Sequence, residues 1–139
     1  MLFRTMLIAS AFLTVAPVAA QAQAQAKDGV TYSPAYELCW NKPENSNTYG
    51  ILRCGEAELA VQDARLNKAY KADMADLADS PEAKASLLKA QRAWIAFRDA
   101  DCATVRALIG GTAAPIYLQN CHLEHTARRA QALEDLLKP

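Results

Sequence analysis

The stretch SPEAKASLLKAQRAWIAFRDADCATVRALIGGTAAP, residues 80–115, spells out a helix together with both of its ends. Ser80 can cap it. Pro81 suits the first helical position, where its missing N–H needs no partner, and Glu82 favours the positive end of the helix dipole. Leu87, Leu88, Gln91, Trp94, Ile95, Arg98, Cys102, Val105 and Ile109 then recur at helical spacing. Gly110 and Gly111 end the run, because glycine takes the left-handed C-terminal conformation without a steric penalty. The helix therefore extends from about Pro81 to Ile109.

The same period continues on both sides. From about Thr48 to Asp79, Leu59, Leu66, Tyr70, Met74 and Leu77 share one face, while Glu56, Glu58, Lys68 and Lys71 lie mostly elsewhere. From about Ala114 to Leu137, Leu118, Cys121, His125, Arg129, Leu133 and Leu136 mark one broad face, with Pro115 in the tolerant first turn. Three helices joined by short turns alternate up and down, and the third closes the core. No useful β alternation and no internal repeat interrupts this. The expected fold is all-α: a small three-helix antiparallel bundle over residues 48–139. Residues 27–47 read as an irregular N-terminal arm. Turn formers (Asp28-Gly29, Ser33-Pro34, Lys42-Pro43, Asn45-Ser46-Asn47) alternate there with Tyr32, Tyr36 and Trp40, with room for a helical turn near Ala35–Trp40.

Residues 1–26 read as a signal peptide. Arg4 supplies the positive start, Met6–Val18 the apolar run, and the small residues up to Ala26 offer A-x-A frames for cleavage between Ala20 and Ala26. The apolar run falls short of the about 20 residues that a membrane span needs. A periplasmic or secreted product without a membrane span is expected. Once Arg4 is removed, 14 Lys and Arg balance 15 Asp and Glu. That balance argues against nucleic-acid binding, which requires a basic face.

Cys39, Cys54, Cys102 and Cys121 are an even set in a small exported domain, which points to two disulfides. Neither a C-x-x-C pair nor a Cys/His pair of zinc-finger spacing occurs, so no metal or other cofactor is expected. The sequence permits three connectivities. Helix geometry favours one of them. Cys102 lies about two turns before the Gly-Gly break and Cys121 about two turns beyond it, at equal height on antiparallel neighbours. Cys39–Cys54 is then left to pin the arm to the first helix.

Gln91, Trp94, Arg98, Asp99 and Cys102 present an amide, an indole, a guanidinium and a carboxylate on one helical face. At core spacing this reads as a structural network, because a buried charge must be neutralised. Asp63 and Glu124 are the candidate partners for Arg98 or Arg129. His122 and Glu124 stand two residues apart and point different ways. No nucleophile signature surrounds a serine, and paired cysteines leave no free thiol. No enzyme is expected.

Taken in order, these residues resemble the LprI-type lysozyme-inhibitor domain family. The matching pieces are Cys54; Asp63, Leu66-Asn67 and Tyr70; Leu88, Ala90-Gln91-Arg92 and Trp94; Arg98-Asp99 and Cys102; Gly110-Gly111-Thr112; and Cys121 with Thr126, Arg129 and Leu133. Cys39 matches the family's additional cysteine, and the resemblance runs from about residue 37 to 137. It implies a secreted helical domain with family disulfides, a protein partner, and a role in blocking c-type lysozyme. The family motif itself (Asp63, Asn67, Tyr70, Gln91, Trp94, Arg98, Asp99, Thr126, Arg129) reads as structural. An inhibitor must occlude a cleft whose catalytic pair is carboxylic. The candidate partner-binding residues are Trp40, Lys42, Asn45, Asn47 and Tyr49, where an aromatic beside turn residues suits an interface hot spot. The same bundle would also serve an envelope structural or stress protein with a non-lysozyme partner.

Overall fold

The computed structural model describes residues 29–138, so the expected signal peptide and its cleavage frames lie outside the described residues. Four α-helices follow in order: α1 Pro34–Trp40, α2 Thr48–Asp76, α3 Pro81–Ile109 and α4 Ala114–Leu136. Short 3₁₀ turns occupy Pro43–Asn45 and Gly111–Ala113, and no strand occurs among the described residues. The three long helices form the expected all-α bundle, and the arm contains a helix of its own.

Local chemistry accounts for the helix ends. Ser33 caps α1, its side chain accepting from the Tyr36 N–H, and Asn47 caps α2 by accepting from the Gly50 N–H. Ser80 takes the cap position of α3, but its side chain makes no capping bond, so Pro81 and Glu82 mark that start alone. Gly110 closes α3 at φ 63°, ψ −176°, a conformation open essentially to glycine only.

α4 lies in the middle of the molecule. It runs parallel to α2, with Gln119 opposite Leu52 and Glu134 opposite Arg65. It runs antiparallel to α3, with Cys121 joined to Cys102 and Arg129 bonded to Gln91. α2 and α3 are consecutive in the chain yet scarcely touch. The apolar core gathers Leu66, Ala69, Leu87, Ala130 and Leu133, with Tyr70, Met74, Leu77 and Trp94 packed around them. This cluster sits towards the α2–α3 turn.

The central place of α4 changes which faces are buried. Its innermost residues are Leu123, Thr126, Ala127, Ala130 and Leu133, whereas Leu136, expected inside, is 50% exposed. One face of α4 meets α2, the adjoining face meets α3, and a single-stripe reading describes neither. α3 leans mainly on α4, meeting α2 near the turn through Leu87, and buries only Leu87, Gln91 and Cys102. Leu88, Ile95 and Ile109 of its expected stripe are exposed for that reason.

The arm covers the remaining side of α2. Val30 is buried, the Ser33 N–H donates to Glu58 Oε1 at 2.8 Å, and the Ser33 hydroxyl donates to Glu58 Oε2. Gln62 Nε2 donates to Glu58 Oε1 at 2.7 Å and to the Thr31 carbonyl at 3.1 Å. Glu58, expected away from the core face, is therefore 2% exposed. Three donors meet its carboxylate, which is what a buried carboxylate requires.

Two disulfides complete the frame, Cys39–Cys54 with a Cα separation of 5.7 Å and Cys102–Cys121 with 5.6 Å. Both lie at the end of the bundle away from the apolar cluster. Replacing Cys102 and Cys121 together by Ala is expected to cost about 2–4 kcal/mol. Hydrogen exchange should show amide protection lost in 97–109 of α3 while the middle of α2 and α4 keeps theirs. Unchanged protection along α3 would refute this account.

Arg65 ties α2 to α4. Its Nε and Nη2 donate to the two Glu134 oxygens at 2.6 and 2.5 Å, and Nη2 also reaches Gln131 Oε1 at 2.6 Å. The hydrogen bond from Arg65 holds the Glu134 carboxyl below the usual carboxylate range. Its stabilisation is therefore complete above the ordinary carboxylate pKa and is lost as pH falls through the lowered value. Glu134→Gln should cost about 0.5–1 kcal/mol at neutral pH, the pair being partly screened by solvent. Urea titrations of the two proteins should converge in strong acid, and a constant difference across pH would contradict the assignment.

Candidate functional site

The arm and the start of α2 enclose a braced loop, residues 40–49. Cys39–Cys54 fixes its base. Asn45 is 3% exposed and fills its centre. Its Nδ2 donates to the Cys39 carbonyl at 2.7 Å, and its Oδ1 accepts from Arg53 Nη2 at 2.5 Å. Asn47 accepts from the Gly50 N–H at 3.0 Å and donates to the Glu44 carbonyl at 2.9 Å. Gly50 lies so close to Asn45 that a Cβ there would come within 2.8 Å of its backbone carbonyl. Two of the five candidate binding residues, Asn45 and Asn47, are thus engaged in holding the loop.

The other three face outward. Trp40 is 44% and Tyr49 75% exposed, and Lys42 is exposed as well. The Arg53 guanidinium lies 6.0 Å from the Tyr49 ring centre. The loop therefore displays two aromatics and one cation, Lys42, with Arg53 of α2 beside it, on a backbone that its own hydrogen bonds hold in place. Nothing in the sequence marks Asn45 as the buried one of the two asparagines. Asn47 lies one residue before the helix, at a recognisable N-cap position.

The motif residues gather mainly along α3 and α4. Arg129 Nε donates to Gln91 Oε1 at 2.9 Å, and its guanidinium lies 6.0 Å from the Trp94 ring centre. Arg98 lies 5.0 Å from the same ring and pairs with Asp99 at 2.8 Å. Arg98 thus takes its sequence neighbour as partner, rather than Asp63 or Glu124, and Glu124 pairs with Arg128 at 2.8 Å. On a helix a side chain at i+1 is usually turned away, but the long Arg98 side chain folds back to reach it. Burial pushes the Asp73 carboxyl up and the Arg129 guanidinium down, while their mutual attraction opposes both effects. Thr126 is wholly buried, Tyr70 packs against the core cluster, Asp63 is half-buried and Asn67 is exposed. Burial first, and then the Arg98 charge, keeps His122 below the ordinary imidazole range, with Asp99 and Asp63 acting in the opposite sense.

Cys102, Cys121 and His125 bring their ligating atoms within 4.8 Å of one another. The disulfide consumes both sulfurs, so neither can ligate as a thiolate. His125 Nε2 instead meets Asp101 Oδ2 at 2.9 Å, and its ring stands edge-on to Phe97. No helix among the described residues is long and apolar enough to cross a membrane.

A family model described as lysozyme inhibitor LprI matches residues 39–133. An uncharacterized protein of Rhizobium meliloti (strain 1021) is 33% identical in an alignment covering 61% of this chain and 70% of that protein. No solved structure matches the chain. The matched span opens at Cys39 and so includes both disulfides and the braced loop.

Asn45→Ala removes the loop's internal anchor. It should cost about 1–3 kcal/mol, because the Cys39 carbonyl keeps only the longer bond from the Lys42 N–H, at 3.4 Å, and the Arg53 guanidinium loses its acceptor. Proteolysis of the folded protein should then cut within 40–49 and nowhere in the long helices. Equal resistance in variant and parent would show that the disulfide alone holds the loop.

Proposed function

The chain belongs to the LprI lysozyme inhibitor family, and from that premise we propose that it is an exported protein-binding domain that blocks c-type lysozyme with its braced loop. The family is described by an inhibitory role, not by a catalytic one. One observation carries the choice of surface: the Cys39–Cys54 bond and buried Asn45 hold a loop on which Trp40, Lys42 and Tyr49 are all exposed. A lysozyme cleft works with two carboxyl groups, one of which must stay ionised. The Lys42 ammonium has the charge to meet them, and the exposed Trp40 and Tyr49 rings of the same loop supply apolar area to exclude water.

Export supports the same reading. Two disulfides persist where the surroundings are oxidising. Residues 1–26, with cleavage between Ala20 and Ala26, would direct the chain to the periplasm or beyond, leaving an arm at 27–47 and the helical domain at 48–139. A second reading is an envelope protein with a non-lysozyme partner. It draws on the exposed apolar residues of α3, where Phe97 is 57% and Leu108 80% exposed.

The test joins a cell-wall turbidity assay with direct measurement of binding between the domain and lysozyme, so that shielding of the wall is not mistaken for inhibition of the enzyme. Lysis should slow at equimolar domain. Trp40→Ala, Lys42→Ala and Tyr49→Ala should each weaken binding about tenfold or more, as hot-spot truncations do. Unimpeded lysis at micromolar excess would remove the lysozyme assignment. Inhibition undiminished in all three variants would move it to another surface.

A further inference from the structure

A groove of about 470 Å³ runs between the arm and α4, and its two walls are chemically opposite. On one side Tyr32, Tyr36 and Trp40 follow at intervals of four residues, with ring centres 5.3 and 6.1 Å apart and planes tilted by 58° and 49°. On the other side Asn120, Glu124 and Arg128 also follow at intervals of four, along α4. Buried Val30 and Leu123 line it as well, and exposed Glu37 adds a further carboxylate. An aromatic ladder thus faces a ladder of planar polar groups across a concave space.

We propose that this groove binds a saccharide. A sugar ring has C–H faces that stack on aromatic rings and a rim of hydroxyls that both donate and accept hydrogen bonds. The polar wall supplies both roles in planar groups: amide, carboxylate and guanidinium. The polar wall is close to neutral by itself, because Glu124 and Arg128 pair at 2.8 and 3.0 Å and offset each other, and Glu37 leaves one carboxylate in excess at the rim. A basic peptide would find the Glu124 carboxylate taken and only Glu37 left to meet it. A purely apolar ligand would take water from the exposed Asn120 amide and the exposed Glu37 carboxylate, which is costly. A flat heteroaromatic would need a parallel platform, and the tilted rings curve instead. Burial, joined by the Glu124 charge, pushes the Tyr32 phenol up to about 12, so it stays a neutral hydroxyl able to donate and accept.

This inference is independent of lysozyme inhibition, and its test contains no lysozyme. The oxidised domain is titrated with oligomers of N-acetylglucosamine and, separately, of glucose, following backbone amide resonances and tryptophan fluorescence. Saturable shifts confined to residues 30–40 and 120–128 are expected with at least one series. Tyr36→Ala and Asn120→Ala should each raise Kd about tenfold, which corresponds to about 1.4 kcal/mol. Asn120 is exposed, so its variant isolates recognition from folding. Sedimentation with purified insoluble peptidoglycan then distinguishes wall glycan from free oligosaccharide as the source. Absence of shifts at millimolar sugar in both series would overturn the proposal. So would shifts that both variants leave unchanged, or preferential occupation of the groove by a lysine-containing peptide.

Discussion

The outer half of α3 depends on one covalent bond. Beyond Trp94 that helix buries no residue except Cys102, and its exposed side chains include Ile95, Phe97, Leu108 and Ile109. Burial of apolar area is what ordinarily fixes a helix to its neighbour, and here there is little to bury. Cys102–Cys121 takes that role, with Asp101–His125 and Phe97–His125 beside it. Cys39–Cys54 does the same for α1 and the loop, at the same end of the bundle. The molecule is therefore anchored by apolar packing near its α2–α3 turn and by sulfur at the opposite end. Each half supplies what the other lacks, as small domains with modest cores require.

Helix boundaries were legible in the sequence because they are local. Pro81, Pro115 and the Gly110-Gly111 pair act within one turn of where they stand, and the helices begin and end at them. Packing partners were less legible because they are not local. An apolar stripe tells which face of a helix seeks cover, but not how many neighbours supply it. α4 is covered on two adjoining faces by α2 and α3, and small Ala127 and Ala130 allow the close approach. Glu58 and Gln62 were hidden from the pattern altogether. They are polar residues made internal by Ser33 and Thr31, 25 and 31 positions earlier, and nothing near them in the sequence announces that cover.

The loop shows the same division. Its existence between turn formers was legible, and so was the aromatic content that makes it a binding candidate. The division of labour within it was not. Asn45 and Asn47 have the same side chain two residues apart, yet one sits at the centre of the loop bonded to Cys39 and Arg53 while the other caps α2. The first is buried where the Cys39–Cys54 bond folds the loop over it and Gly50 approaches its backbone, a closure that no residue beside Asn45 announces. The aromatic groove was missed for a related reason. Tyr32, Tyr36 and Trp40 were visible as arm residues, but the polar ladder that faces them belongs to α4, some ninety residues away in the sequence.

Rigidity joins these features to the proposed function. A loop that enters an enzyme cleft loses conformational freedom unless it is already ordered, and each immobilised side chain costs about 0.5–1.5 kcal/mol at that moment. In this chain most of that ordering is done on folding. The disulfide closes the loop, Asn45 fills it, Asn47 fixes the turn into α2, and Glu58 holds the arm from which α1 begins. What is left to order on binding is three side chains: Trp40, Lys42 and Tyr49. Trp40 already stands at the end of a ring ladder that limits its rotation, and Tyr49 has the Arg53 guanidinium near its ring. The inhibitory reading therefore requires no rearrangement of the backbone, only the removal of water from a surface that the fold has set in advance.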